Sequence, residues 1–261
     1  MILLFRNLLF LSLILLPYQM SFAADSFDHH YMKWGDLLKR YVKERKVDYR
    51  GIIKRDLPLF DSIVADLEKV SESEYLTWNK EKKMSFWINV YNIEAMKLVL
   101  DHYPLKRSLG LQALRYPANS IQQIPDVWNQ EALAILGKKV SLNYIENEIL
   151  RREFSDPRIH FAIVCASLGC PVLRDEPYVS DRLDSQLNDA VTKFLQDHRK
   201  FNYDARKNTF HLSPIFKWFK EDFEKAGGSI AFIKKYIPQD KNLPDSAPIQ
   251  WLDYDWSLNE Q

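Results

Sequence analysis

Glycine is scarce in this chain, with seven in 261 residues, and neither Gly-x-Gly-x-x-Gly nor Gly-x-x-x-x-Gly-Lys-Ser/Thr occurs. Loops that wrap phosphates need such glycines so that the backbone can approach the ligand, so a nucleotide-binding loop is not expected. An excess of one charge is missing too: 36 Lys and Arg stand against 35 Asp and Glu. Nucleic acids and anionic membrane surfaces reward a basic excess, so neither is expected as a partner. After the first residues there is no run of about 18 apolar residues, the length a spanning helix needs. No repeat, low-complexity tract or long linker divides the chain, and no His, Cys, Asp or Glu cluster has metal-ligand spacing. No cofactor or metal is therefore expected. Cysteine is limited to Cys165 and Cys170.

What is present begins with a leader. Met1 to Ala23 carries one basic residue, Arg6, then an apolar stretch from Leu8 to Leu16, then Ser21-Phe22-Ala23 before Ala24 and Asp25. A short apolar stretch followed by a small-x-small site reads as a secretory signal peptide cleaved near Ala23. No cysteine lies near that site, so no lipoprotein anchor is expected. The expectation is a periplasmic or secreted protein, with residues 24–261 forming one domain and both cysteines facing an oxidising compartment.

Periodicity sets the elements. Trp34, Leu37, Leu38 and Tyr41 recur at helical spacing, as do Phe60, Ile63, Val64 and Leu67. Ser71-Glu-Ser-Glu74 is a capping-box pattern and opens a helical region towards Tyr103. Within it, Phe86-Trp-Ile-Asn-Val-Tyr-Asn92 is apolar on nearly every side, which predicts a buried central helix. Ala132–Leu136 and Lys139–Leu142 flank Gly137-Lys138 as a hairpin, followed by a helix from about Asn143 to Glu153. Arg158 to Val164 reads as a buried strand, and Leu183 to Leu195 as an amphipathic helix. Phe201–Tyr203 and Thr209–Leu212 form a second hairpin, and helices around Ile215–Glu224 and Ser229–Tyr236 close the chain. Interspersed helices and antiparallel hairpins define an α+β fold, helix-rich with a small antiparallel sheet.

Four blocks carry a resemblance. Phe86-Trp-Ile-Asn-Val-Tyr-Asn92, Asp156-Pro-Arg-Ile-His-Phe-Ala162 with Cys165-Ala-Ser-Leu-Gly-Cys-Pro171, Leu212-Ser-Pro-Ile-Phe-Lys-Trp218 with Asp222-Phe223, and Tyr254-Asp-Trp-Ser-Leu-Asn259 stand in this order. Together they resemble the domain-of-unknown-function 547 family. The resemblance implies a fold similar to papain and transglutaminase-like thiol enzymes. Animal members fused to glutaredoxin imply a glutathione-like thiol or small peptide as ligand. Where members of that family often read Ile-Glu-His, this chain has Ile145-Glu146-Asn147.

The chemistry then centres on the cysteines. In one reading Cys165 is a nucleophile activated by His160, or by His211, with Glu146 or an asparagine orienting the imidazole, because a neighbouring imidazolium lowers a thiol's pKa. That is a cysteine-dependent hydrolase or transferase. On a regular strand His160 and Cys165 would face opposite ways, so a dyad requires the strand to end or bulge between them. Backbone amides from Ser167 to Gly169 are candidates for an anion pocket. Asn89, Asn92 and Arg158 are candidates for ligand binding, with Arg151 and Arg174 as other possible carboxylate clamps. Cys170, fixed by Pro171, is expected to protect or resolve Cys165. The other reading is a non-enzymatic peptide- or protein-binding module in which the cysteines are structural, either buried thiols or a disulfide across the turn. Trp87 and Trp218 are expected in the core.

Overall fold

The computed structural model describes residues 26–237 and 242–261; the expected signal peptide, Met1 to Ala23, lies outside the described residues. The chain is helix-rich with small sheets, an α+β fold. Among the described residues no helix is long and apolar enough to cross a membrane. Its axis is the helix Lys80–His102, which buries a nearly unbroken run from Met84 to Met96. The helical region expected from Ser71 is interrupted. The Ser71 hydroxyl accepts from the Glu74 amide and caps only Glu72–Leu76, while the Glu74 carboxylate turns away to accept from the Phe27 amide at 2.8 Å. The chain then restarts at Asn79, whose side chain accepts from the Lys82 amide and caps the central helix.

Both expected hairpins form, the first with its turn at Leu136-Gly137, one residue earlier than the expected Gly137-Lys138. Leu133–Ile135 pairs with Lys138–Val140 across a turn in which Leu136 and Gly137 have φ of 52° and 73°, the two positive values that a tight hairpin turn requires. Phe201–Asp204 pairs with Thr209–Leu212, and a third strand, Ile249–Trp251, adds in parallel to the second of these. That third strand has all three residues exposed, so no alternation of apolar and polar side chains announces it. The helix expected after the first hairpin starts at Leu142 and continues as a π-wound segment, Ile145–Phe154.

The expected strand from Arg158 to Val164 does not form. Pro157–Phe161 is a 3-10 turn, opened by Asp156, whose carboxylate accepts from the Arg158 amide. Proline at the first position and aspartate before it favour a helical start, and these local signals outweigh the apolar run that follows. Residues 162–164 then run on without a sheet partner. Asn92 takes that partner's place from the central helix: its side-chain amide donates to the Ala162 carbonyl at 3.0 Å and accepts from the Val164 amide at 2.8 Å. A buried backbone must have its hydrogen bonds met, and here one side chain meets two of them.

Two apolar clusters fill the interior. The larger surrounds the central helix; the smaller gathers Phe161, Phe194, Phe210, Phe216, Phe223 and Phe232. Tyr254, on the C-terminal strap of residues 252–261 that follows the third strand, packs against both.

Candidate functional site at the cysteine turn

Cys165 and Cys170 are joined by a disulfide, with α-carbons 6.3 Å apart. Ala166 turns the chain with φ of 58°, and the C-terminal strap seals the turn from one side. The Leu168 amide donates to the Ser257 carbonyl at 2.8 Å, the Gly169 amide donates to the Asp255 carbonyl at 2.7 Å, and the Asn259 amide donates to the Ala166 carbonyl at 3.0 Å. The amides of Leu168 and Gly169, expected to face an anion, are therefore occupied by the strap. Gly169 serves a different purpose: a β-carbon there would lie 2.7 Å from the Tyr254 ring, so only glycine lets that ring lie on the turn. Behind the turn, the ammonium of buried Lys200 donates to the Cys170 carbonyl, and burial holds it down to about 7.

The two sulfurs differ in surroundings. Cys170 is buried, whereas Cys165 is partly exposed. Three donors reach the Cys170 sulfur: the Cys165 amide at 3.0 Å, the Tyr254 hydroxyl at 3.2 Å and the Ser167 hydroxyl at 3.3 Å. The same two hydroxyls lie 3.4 and 3.3 Å from the Cys165 sulfur. Each hydroxyl has one proton, so each donates to one sulfur at a time.

His160 reaches the site because Pro157–Phe161 is helical rather than extended, so the alternation of a strand does not apply. His160 and Cys165 line one cavity of about 190 Å³, together with Glu146, Cys170, Tyr91 and Tyr254. The imidazole is wholly buried and stacks on Phe219 at 3.8 Å. Its Nε2 lies 2.8 Å from Asp222 Oδ2, to which Arg151 Nε also donates at 2.6 Å. A carboxylate accepts, so Nε2 carries the proton and Nδ1 is left as a bare acceptor. Among the described residues that Nδ1 has no hydrogen-bond partner. Glu146, expected as the orienting group, stands 3.8 Å from Nδ1, beyond hydrogen-bond length. Asp222 is the residue that fixes the ring.

The electrostatics follow from burial. Desolvation pushes Glu146 up to about 7, against the lowering effect of Arg151 and Tyr91 and with Asp222 adding to the rise. Desolvation also lowers His160, against the raising effect of Asp222. Burial would raise Asp222, but hydrogen bonds from His160 and Arg151 outweigh it and hold the carboxyl well below the usual range. Near neutral pH the site thus contains a neutral imidazole beside a carboxyl close to its titration point.

The other candidates lie elsewhere. The side-chain amide of Asn89 donates to the Tyr178 carbonyl at 2.7 Å and accepts from the Tyr178 amide at 3.1 Å. Asn89 and Asn92 thus spend their amides on the backbone. Arg158 is held by Asp156, Asp184 and Asn188 beside a different depression. Arg174 pairs with Glu176 and Asp189. His211 sits on the strand Thr209–Leu212, opposite Asn202 and Gln250, and is not among the residues lining the cavity. Trp87 is core, but Trp218 is 48% exposed and lines the cavity with Trp128, Phe219 and Trp256. Trp218 is therefore not core, and its partly buried neighbour Phe219 packs against the smaller apolar cluster and stacks on His160.

Sequence reasoning left Asp222, Tyr254 and the aromatics lining the cavity without roles, although Asp222 and Tyr254 stand in the third and fourth blocks of the resemblance. Residues 75–195 match the model of a family described as protein of unknown function, DUF547, which supports the resemblance carried by the first two blocks. The match spans the central helix and the cysteine turn and ends before Asp222 and the strap. No curated protein and no solved structure matches the chain.

Proposed function

We propose that this is a periplasmic or secreted protein of papain- or transglutaminase-like architecture whose Cys165–Cys170 disulfide exchanges with a small thiol, of which a glutathione-like peptide is the type. The observation that carries this is the asymmetry of the pair: both cysteines line the cavity, but Cys165 is partly exposed and Cys170 buried, and the Cys165 amide donates to the Cys170 sulfur alone. A thiolate entering the cavity attacks the Cys165 sulfur, a mixed disulfide forms there, and the Cys165–Cys170 bond breaks. The electron pair leaves on Cys170, where the Cys165 amide and the Tyr254 and Ser167 hydroxyls stabilise the new thiolate. Exchange is faster when the leaving sulfur is stabilised as an anion. The bare Nδ1 of His160 is the base available for the incoming thiol's proton. Attack by Cys170 on the mixed disulfide reverses the step. When a second small thiolate attacks the ligand sulfur of the mixed disulfide, the ligand leaves as its own disulfide and Cys165 as a thiolate, which then shares its cavity with a histidine oriented by Asp222, the constellation a cysteine-dependent hydrolase or transferase uses.

The test is brief exposure to reduced glutathione, an acid quench and peptide mass spectrometry. The expected result is a glutathione adduct on Cys165 and a free thiol at Cys170. An adduct confined to Cys170 overturns the assignment. A disulfide that resists millimolar glutathione supports the alternative, a peptide-binding module with structural cysteines, which the occupied amides of the turn favour. The compartment is tested separately, by the mass of the N-terminal peptide from an exported sample: an intact Met1 overturns export by cleavage near Ala23.

A further inference from the structure

We infer that the cavity beside Cys165 receives a primary ammonium on a short apolar stem, as in a lysine side chain, with Glu146 as its counter-charge. This deepens the preceding reading by naming the head group its pocket accepts, and rests on that reading only for the thiol chemistry next to it.

The first argument is charge. Among the described residues no lysine or arginine lines the cavity, and Glu146 is the only carboxylic acid that does. The nearest guanidinium, Arg151, is committed to Asp222 and Asn147, at 2.6 Å each. An anionic head group would find no cation there and would face a carboxyl. The second argument is hydrogen bonding. His160 Nδ1 is an acceptor on a fully buried side chain that lacks any donor, and Glu146 Oε1 lies 3.8 Å from it. Two acceptors at that separation call for a group with several N–H donors. An ammonium has three and no lone pair to clash with the imidazole; an alcohol has one proton and satisfies only one of the two. The third argument is the wall. Trp218 and Trp256 lie 6.0 Å apart, with Tyr254 at 4.8 and 4.6 Å from them, and Trp128 is 6.1 Å from Trp256. Aromatic surfaces favour both an alkyl stem and a cation passing over them.

Binding is coupled to a proton. The groups facing Glu146 are Tyr91 from the central helix, Arg151 on its own segment, His160 from the 3-10 turn, Asp222 from the helix Lys220–Lys225, and Tyr254 from the strap. Arg151 and Asp222 offset one another, so the entering ammonium is the uncompensated charge and drives Glu146 to its ionised form. Below about pH 7 the complex therefore forms with loss of a proton, and well above it without one.

The experiment is calorimetric titration of the oxidised protein with n-butylamine, with n-butanol and butyrate as comparators, at about pH 6 in two buffers of different ionisation heat and again at about pH 8.5. The expected result is butylammonium binding at least about tenfold tighter than either comparator. Release of close to one proton is expected at the lower pH and almost none at the higher. Glu146→Gln is expected to weaken binding about tenfold or more; the proton count is read on the unaltered protein and does not depend on that variant folding. Equal binding of butanol, tighter binding of butyrate, or no proton release overturns the inference. So does absence of amine binding with a glutathione adduct still forming on Cys165, an outcome that leaves the thiol reading standing.

Discussion

Glu94 and Glu146 are both carried by helical segments into the interior, and burial raises both carboxyls, to about 8 and about 7. Glu94 is sealed: it has no exposed surface, one oxygen accepts from the Ala132 amide at 3.2 Å, and the other has no partner among the described residues. Glu146 opens on the cavity at Cys165, with an unpartnered imidazole nitrogen beside it. The same physics perturbs the two groups, yet only one can meet a ligand. A shifted carboxyl marks a site when a cavity and complementary groups accompany it; without them it marks a cost of packing.

The largest expected effect tests the sealed region. Glu94 titrates near 8 when folded and near its ordinary 4.5 when unfolded. Between those values the folded state holds a proton that the unfolded state has released, so stability falls as pH rises from about 4.5 through about 8. The ceiling on that loss is about 5 kcal/mol. Glu94→Gln should flatten this dependence in urea unfolding measured at several pH values. An unchanged slope would mean that Glu94 is not sealed, and the contrast with Glu146 would collapse.

A middle-sized effect sits where the two regions join. Asn92 satisfies the Ala162 carbonyl and the Val164 amide just before Cys165. Asn92→Ala strands both and should cost about 3 kcal/mol, read from the urea midpoint. It should also raise the alkylation rate of the cysteine turn after reduction. A cost below about 1 kcal/mol would show that solvent replaces the amide, placing Asn92 in the open region instead.

The smallest effect belongs to the open side. Tyr254→Phe removes one donor from the Cys170 sulfur while keeping the ring that lies on Gly169. Stability should fall by about 1 kcal/mol, and exchange with glutathione should slow about fivefold, the equivalent of one such hydrogen bond. Exchange at the unaltered rate would mean that the Cys165 amide and Ser167 stabilise the leaving sulfur without it.

Much of the fold was legible because it is written locally. The spacing of Trp34 to Tyr41 and of Leu183 to Leu195, the alternation around Gly137, and the unbroken apolar run at Phe86 each describe one element's surroundings. The strand expected at Arg158 does not form because an apolar run fits either state, and Asp156-Pro157 settles it towards a helical turn. Asn79 likewise divides a helical stretch whose periodicity alone looked continuous. At the site, the sequence drew attention to Cys165, His160 and Glu146 by residue type.

Composition and pattern by themselves determined an α+β chain with a buried central helix, two hairpins and a pair of cysteines spaced for a turn. Tertiary structure alone decided that His160 meets Asp222 across 62 positions, that Tyr254 reaches Cys170 across 84, and that the strap occupies the amides of the cysteine turn. The physical reason is range. Periodicity and caps act within a few residues, whereas these contacts depend on how the two apolar clusters close around one seam, and that closure is set by the packing of the whole chain.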